Sequence, residues 1–475
     1  MENPNILSKR YATETMNTIF SERNKILLER ELWIAVLKAQ KKAGIDVSDE
    51  IISRYEAAKE KIDFDEIKRI EAITKHDVKA RIEAFVKSAG TEEHIHKGMT
   101  SRDLTDNVEQ LQILAASNLV FGKFISVLRH FVDKSKQYEN IILTARTHHQ
   151  AAQPTLLGRR FAMWAEELLT HLTDFESFIQ NYRLRGIKGP VATQFDMLTL
   201  LGDKQKLDEF SKELASSLNI NQTLDAPGQV YPRSMDFKLI SHLAALSSAI
   251  ENFGKTMRLM AGYEFVTEGF KEGKVGSSAM PHKMNTVNSE RLDAFSELIK
   301  MYCDGASRLS GAQWEEGDVS CSVMRRVIIP DCFYACDGLL EVSLNLLNDM
   351  GMFEKKISEE LDLYLPFLAT TEILMTAVKK GIGREKAHEI IKKHSTAEVL
   401  RLRETKDKNN FLEDLSKDPE FTKYNITLED LNKIISDKKH FVGNASSQIQ
   451  AVENKAQVLF NKYPEQAKYE PKDIL

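Results

Sequence analysis

An all-α protein is what this chain predicts, with three helical domains around a central long-helix bundle, and three observations carry that expectation. Proline, the commonest helix breaker, is absent between Pro4 and Pro154. Apolar residues recur at spacings of three and four in three long segments. No stretch reads clearly as a sheet, and no repeat, low-complexity tract or dinucleotide-type glycine pattern interrupts the helical texture.

Taken in order, residues 1–107 predict a small N-terminal domain of shorter helices, one around Leu32, Trp33, Val36 and Leu37 that ends near Gly44. Residues 108–354 predict the central bundle. Its first helix shows Leu111, Leu114, Asn118, Phe121, Ile125, Leu128 and Val132 on one seam. Its second carries Leu157, Phe161, Trp164, Leu168, His171, Phe175, Phe178 and Tyr182. The third runs through Leu239, Leu243, Leu246, Ile250, Phe253, Met257 and Met260. Each would extend about 40 Å, and so many aromatic knobs predict burial on more than one side and a homo-oligomer. Asn118 and His171 read as register-setting core residues rather than functional ones. Residues 355–475, with shorter amphipathic stretches and charged linkers such as Arg403–Asn410, predict a C-terminal helical domain.

The 475 residues, 42% of them hydrophobic, are enough for several domains and a large core. With 65 basic against 70 acidic residues the net charge is −5, which offers no general attraction to nucleic acid or anionic lipid. The start of the chain lacks the apolar core of a signal peptide, and no run approaches the roughly 20 apolar residues of a membrane span, so a cytoplasmic protein is expected. Cys303, Cys321, Cys332 and Cys336 form no CxxC pair and no zinc spacing, so reduced structural thiols are expected, with no metal and no cofactor.

Polar clusters break the apolar pattern at six places. Gly276-Ser277-Ser278-Ala279-Met280-Pro281-His282-Lys283-Met284-Asn285 is a small-residue loop that can bring a hydroxyl and an ammonium onto a bound anion, with Gly273, Gly276 and Pro281 shaping a hinged lid. Lys75-His76-Asp77, His96 with Thr100-Ser101-Arg102-Asp103, and Thr147-His148-His149-Gln150 each read as lying just before a helix, where free N–H groups favour anions. Capping alone accounts for Thr100, Ser101 and Asp103 equally well. Arg10-Tyr11 and the Trp314–Arg326 segment, in which Ser322, Arg325 and Arg326 can receive a phosphate or carboxylate, complete the set. Histidine for proton transfer, with Lys, Arg, Asn and hydroxyls for anions, points to acid–base chemistry on a polyanion. A Ser/His/Asp hydrolase is the competitor, but Ser277 stands in no GxSxG elbow.

The loop GSSAMPHKMN resembles the GSSxMPxKxNP motif of the fumarase/aspartase superfamily, and THHQAAQPT and TSRDLTDN resemble its other two shared regions, in the same order. Within it, Arg10-Tyr11-Ala12, the KHDVKA of Lys75–Ala80 and the Ser322…Arg326 end of WEEGDVSCSVMRR resemble the adenylosuccinate lyase family, over essentially the whole chain. The resemblance implies a tetrameric helical core in which three subunits meet at each active site. It also implies a C–N lyase of purine synthesis, releasing fumarate from adenylosuccinate to give AMP and from the succinylcarboxamide ribotide (SAICAR) to give AICAR.

Carried over to this chain, the resemblance makes Ser277 the general base and His148 the general acid, with no catalytic role for His149. Lys283 and Asn285 would hold the succinyl carboxylates. His76 would sit against the substrate and help position His148, with Glu290 nearby, while Asp77 would contact the nucleotide and Lys75 belongs to the same substrate-binding motif. His96, Thr100 and Ser101 would line the succinyl or phosphate end. Arg10 and Tyr11 would grip the 5′-phosphate together with Ser322 and Arg326, and Gln229 and Arg291 match other substrate contacts. Gly317 stands where an Arg is common, Thr286 where the motif has Pro, Ala151 where Pro is common and Leu156 where Thr is common. Another lyase of the superfamily, such as an argininosuccinate lyase, a fumarase or a cycloisomerase, and a catalytically silent structural relative are the alternatives. A fumarase has no phosphate for Arg10-Tyr11 to grip.

Overall fold

The computed structural model describes residues 5–218, 220, 222–269, 280, 282–405 and 407–472. Three N-terminal helices carry or frame candidate site residues: α1 (Glu22–Lys42), α2 (Phe64–Thr74) and α3 (Asp77–Ala89). Ser21 starts α1 by accepting from the Asn24 amide, and the apolar face it launches buries Leu32, Trp33, Val36 and Leu37. At the junction of α2 and α3, Lys75 closes the first helix in the left-handed region and His76 caps the second.

The bundle is built from α4 (Ser101–Gln137), α5 (Leu157–Gln180), α6 (Ser234–Gly262), α7 (Val287–Leu309) and α8 (Cys321–Asp349). The sequence reading found three of these five. In α8, Pro330 lies inside the helix and buried residues, Asp337 and Glu341 among them, fall on every side between Ile328 and Leu347, so no seam stands out. A helix packed on every side presents no single apolar face, and 19 of its residues are buried. The α6 and α5 seams are buried largely as read, His171 being half-exposed. Near its start the α4 seam is wrong: Leu111 and Leu114 are half-buried and Asn118 is exposed, bonding the Leu114 carbonyl at 2.9 Å. The inward face there is Ile113, Ala116, Val120 and Phe124, because a strict seven-residue beat drifts around a straight helix. An 18-residue window of α4 has the apolarity of a membrane span, but 72% of it is buried among its neighbours, as in the core helix of a bundle.

The expectation of no sheet also needs correcting. Strands β1 (Ile142–Thr147) and β2 (Gln150–Leu156) form an antiparallel hairpin between α4 and α5, and the short β3 (Val266–Thr267) and β4 (Gly351–Met352) pair where α6 and α8 end. The hairpin packs on α9 (Glu354–Leu368) and on the turn of helix at Lys438–Val442. Further along, α10 (Ala445–Lys462) returns to the bundle and buries Ile449, Val452, Ala456 and Leu459 there. All four cysteines are free thiols.

Candidate active site

Thr147-His148-His149-Gln150 does not precede a helix; it is the tip of the β1–β2 hairpin. Thr147 pairs with Gln150, leaving His148 and His149 as a two-residue turn with φ of 53° and 60°. Such turns match the twist of the strands but demand left-handed backbone at both positions, where Asn-Gly is the usual solution. Two histidines there are strained, which is tolerated where an imidazole must be displayed. His148 stands exposed at the tip. Arg146 braces the turn from below: it donates to the His149 carbonyl at 3.2 Å, pairs with Glu360 of α9 and lies 4.2 Å over the Tyr263 ring. Tyr263 in turn places its hydroxyl 3.3 Å from His149 Nε2. His149 therefore has a structural partner.

At the same end of the bundle α7 begins. Glu268 caps it, accepting from the Asn288 and Ser289 amides at 2.9 and 2.7 Å and from the Ser289 hydroxyl at 2.7 Å. This bond set ties together the two sides of the segment that carries the Ser277 motif. Ser277 itself, with Gly273, Gly276 and Pro281, lies outside the described residues. Lys283 is exposed, Asn285 half-buried, and Glu290 and Arg291 lie in the first turns of α7, Arg291 reaching Asn288 at 3.3 Å.

The opposite end of the bundle gathers the second group. His76 accepts the Lys79 amide on Nδ1 at 3.2 Å, so its proton is on Nε2 and points away from the helix it caps. Trp33 does the same for His96, donating from its indole to Nδ1 at 3.0 Å. Burial lowers the basicity of His96, opposed by Asp103 and reinforced by the nearby His76, so this ring is a neutral Nε2–H donor. Lys75 and His96 both hold positive φ, 55° and 68°. Thr100 and Ser101 open α4 beside them. Asp103 is fully engaged inside, accepting from the Thr100, Lys188 and Gly189 amides and pairing with Arg185, so it is a scaffold group. Arg325 is another: it is buried and bonded to Asp236, Glu109 and Tyr231, leaving Arg326 as the exposed cation of that segment, while the Ser322 hydroxyl donates to the Val319 carbonyl at 2.7 Å.

These two groups cannot meet within one chain. Arg233, at the start of α6, pairs with Asp106 in the second turn of α4, whereas Tyr263, just past the end of α6, contacts His149. The 29 residues between span about 43 Å. Arg325 bonds Asp236, so Ser322 and Arg326 share the Thr100 end, and the close approach of Ser289 to Gly254 puts the start of α7 toward the His148 end. Tyr11 enters between the two ends: it rests on Gly338, midway along α8, and meets the Phe295 ring edge-on at 5.1 Å.

Residues 9–299 match the lyase family, and residues 366–452 match the adenylosuccinate lyase C-terminus. The chain is 30% identical to an adenylosuccinate lyase of Schistosoma mansoni over 95% of this chain and 94% of that one. It is 31% identical to that of Saccharomyces cerevisiae, with 94% and 92% covered. This chain belongs to the adenylosuccinate lyase family. The fold agrees with that of solved structures: a 3-carboxy-cis,cis-muconate lactonizing enzyme from Pseudomonas putida superposes with a TM-score of 0.82 at 19% identity, covering 95% and 99% of the two chains. A fumarate lyase from Mesorhizobium sp. BNC1 gives 0.77 at 20%, covering 94% and 99%.

Of the departures from the adenylosuccinate lyase pattern, Gly317 has a structural reason. Its φ is +145°, and a Cβ there would stand 3.2 Å from Gln229 Cβ and from Val230 Cγ2. The adjoining loops interlock, with the Gln229 amide donating to the Glu316 carbonyl at 2.6 Å and Gly228 pressed against that same oxygen. Gly317 thus lets two loops close together, and Gln229 is held by its backbone. Three residues with roles at the site escaped the sequence reading: Trp33, Arg146 and Tyr263. Arg146 was the most legible, being two residues from His148.

Proposed function

We propose that the chain eliminates fumarate from adenylosuccinate to give AMP, and from the succinylcarboxamide ribotide to give AICAR, as a cytoplasmic homotetramer with sites shared between subunits and no cofactor. The observation that carries this is the likeness to adenylosuccinate lyases over more than nine-tenths of both chains. The separation of the two residue groups, about 43 Å along α6, supports the shared site, because an oligomer is what brings His148 of one subunit to His76 and Ser101 of another.

In this reading Ser277 removes the β-proton of the succinyl group, and the electron pair left on carbon spreads into the adjacent carboxylate. Lys283 and Asn285 hold the carboxylates where that charge collects. The C–N bond then breaks, and His148 gives a proton to the departing nitrogen. The hairpin turn suits this role: an exposed imidazole on a braced, strained tip can enter a site made by other chains. His76, Asp77 and Lys75 contact the substrate beside it, His96, Thr100 and Ser101 line the pocket, and Glu290, Arg291 and Gln229 complete it. Arg10, Tyr11, Ser322 and Arg326 receive the 5′-phosphate. Residues 1–107 and 108–354 carry these groups, and 355–475 supports the hairpin from below.

The test is direct identification of fumarate and AMP after incubation with adenylosuccinate, for the native protein and for H148Q and S277A. Each variant is expected to lose about 10²- to 10⁴-fold in kcat while still binding substrate. Full activity in either variant, or no fumarate from the native protein, overturns the assignment. Cleavage of argininosuccinate instead would move the chain to another branch of the superfamily.

A further inference from the structure

A buried ionic cluster in the middle of α8 joins the Arg10-Tyr11 segment to the end of the chain. Asp337 and Glu341, one turn apart and both wholly inaccessible to solvent, share the ammonium of Lys123, itself 1% exposed. One cation for two buried carboxylates leaves a net negative charge in the core, so each carboxylate needs further donors. Asp337 obtains them from one direction: Thr13 donates to Oδ2 from its amide at 2.7 Å and from its hydroxyl at 2.8 Å. Glu341 obtains them from the other: the Tyr469 hydroxyl donates at 2.5 Å and the Lys472 amide at 2.6 Å. Burial, and then the bond to Glu341, push the Tyr469 phenol well above its usual range, so it remains a donor. Ser126 fixes the same tail residue by donating to its carbonyl at 2.7 Å.

Between the two carboxylates lies Gly338, where a Cβ would meet Tyr11 Cβ at 3.0 Å and the Tyr11 carbonyl at 3.2 Å. One helical turn therefore seats Tyr11, anchors Thr13 and receives the tail. Loss of the tail donors would leave Glu341 short and draw Lys123 toward it and off Asp337, so that Asp337 shifts together with the Thr13 it holds.

We propose that Tyr469 and the chain end around it are positioning residues for the Arg10-Tyr11 phosphate grip, acting through Glu341, Lys123, Asp337 and Thr13. This rests on the reading of Arg10 as a phosphate ligand, and the experiment separates the two. Kinetics are measured on the full chain for Y469F, R10Q and the double variant, with adenylosuccinate and with its nucleoside lacking the 5′-phosphate. Y469F is expected to raise KM for adenylosuccinate about 3- to 10-fold at unchanged kcat, and to add less than about twofold in the R10Q background. The nucleoside should be cleaved equally by native protein and Y469F. S126A, which releases the Tyr469 carbonyl, provides the same readout if Y469F assembles poorly. An unchanged KM in both tail variants, or an equal effect in the presence and absence of Arg10, overturns the proposal while leaving the phosphate reading intact. An R10Q variant with native KM overturns the phosphate reading and the proposal with it.

Discussion

Mixing two inactive variants tests whether a site is shared between chains. H148Q and H76Q carry lesions at opposite ends of α6, about 43 Å apart along the helix axis. If one site took both histidines from the same chain, every site in a mixture would retain one lesion, and activity would stay at the level of the separate variants. If His148 comes from one subunit and His76 from another, half of the donors are intact at each position after random reassociation. About one half of one half, or one quarter, of the sites then regain both groups, whatever the size of the closed oligomer. The assay is fumarate release after the two proteins are mixed, gently dissociated and reassociated, compared with the same mixture left unexchanged. Size-exclusion and mass measurements establish that mixed oligomers formed. Mixed oligomers with no recovered activity would refute the inference from helix length, and recovery near one quarter would place the two ends of different chains in one site.

Other expectations come from single contacts. Replacing Gly317 by Ala should destabilise the chain by about 1–3 kcal/mol in urea unfolding, since φ +145° is a region closed to other residues and Val230 blocks the space. Asp103→Ala should be worse, about 3–5 kcal/mol, because Arg185 is left buried without its partner; a smaller loss would mean that solvent reaches the site. Burial depresses the basicity of His96 below its ordinary value of 6.5, so the unfolded chain binds the proton first. Stability present above pH 6.5 should therefore fall as pH drops through the interval below it, and H96Q should flatten that slope in chemical denaturation. Trp33→Phe removes the indole donor that fixes the His96 tautomer, and kcat/KM should drop by roughly 5-fold with the fold retained.

Long seams told most about the architecture where a helix has one buried face, as in α5 and α6, and least where burial surrounds it. In α8 the buried run carries no period to read, yet that helix holds the buried carboxylates and the arginine on which the site is framed. Motif spacing singled out His148, His76, His96 and the hydroxyls of Thr100 and Ser101 as candidates. It could not tell Asp103 and Arg325 from ligands, because a carboxylate or guanidinium satisfied by remote residues looks the same in sequence as one left free for substrate. Partners more than 80 positions away, Arg185 for Asp103 and Asp236 for Arg325, decide the matter.

The hairpin shows the opposite failure. Thr-His-His-Gln carries none of the Asn-Gly chemistry that announces a two-residue turn, so local propensity argues against the conformation the chain adopts. Tertiary bonds impose it: Arg146 is held by Glu360 and Tyr263, and it holds the His149 carbonyl in turn. A less strained turn sequence would relieve the backbone but remove both imidazoles. The strain and the brace are therefore parts of one arrangement, in which the left-handed backbone at His148 is offset by contacts to α9 and to the end of α6. Loosening the brace, as in R146M, should lower kcat while leaving His148 itself in place, and an unchanged kcat would show that the turn holds its shape without help.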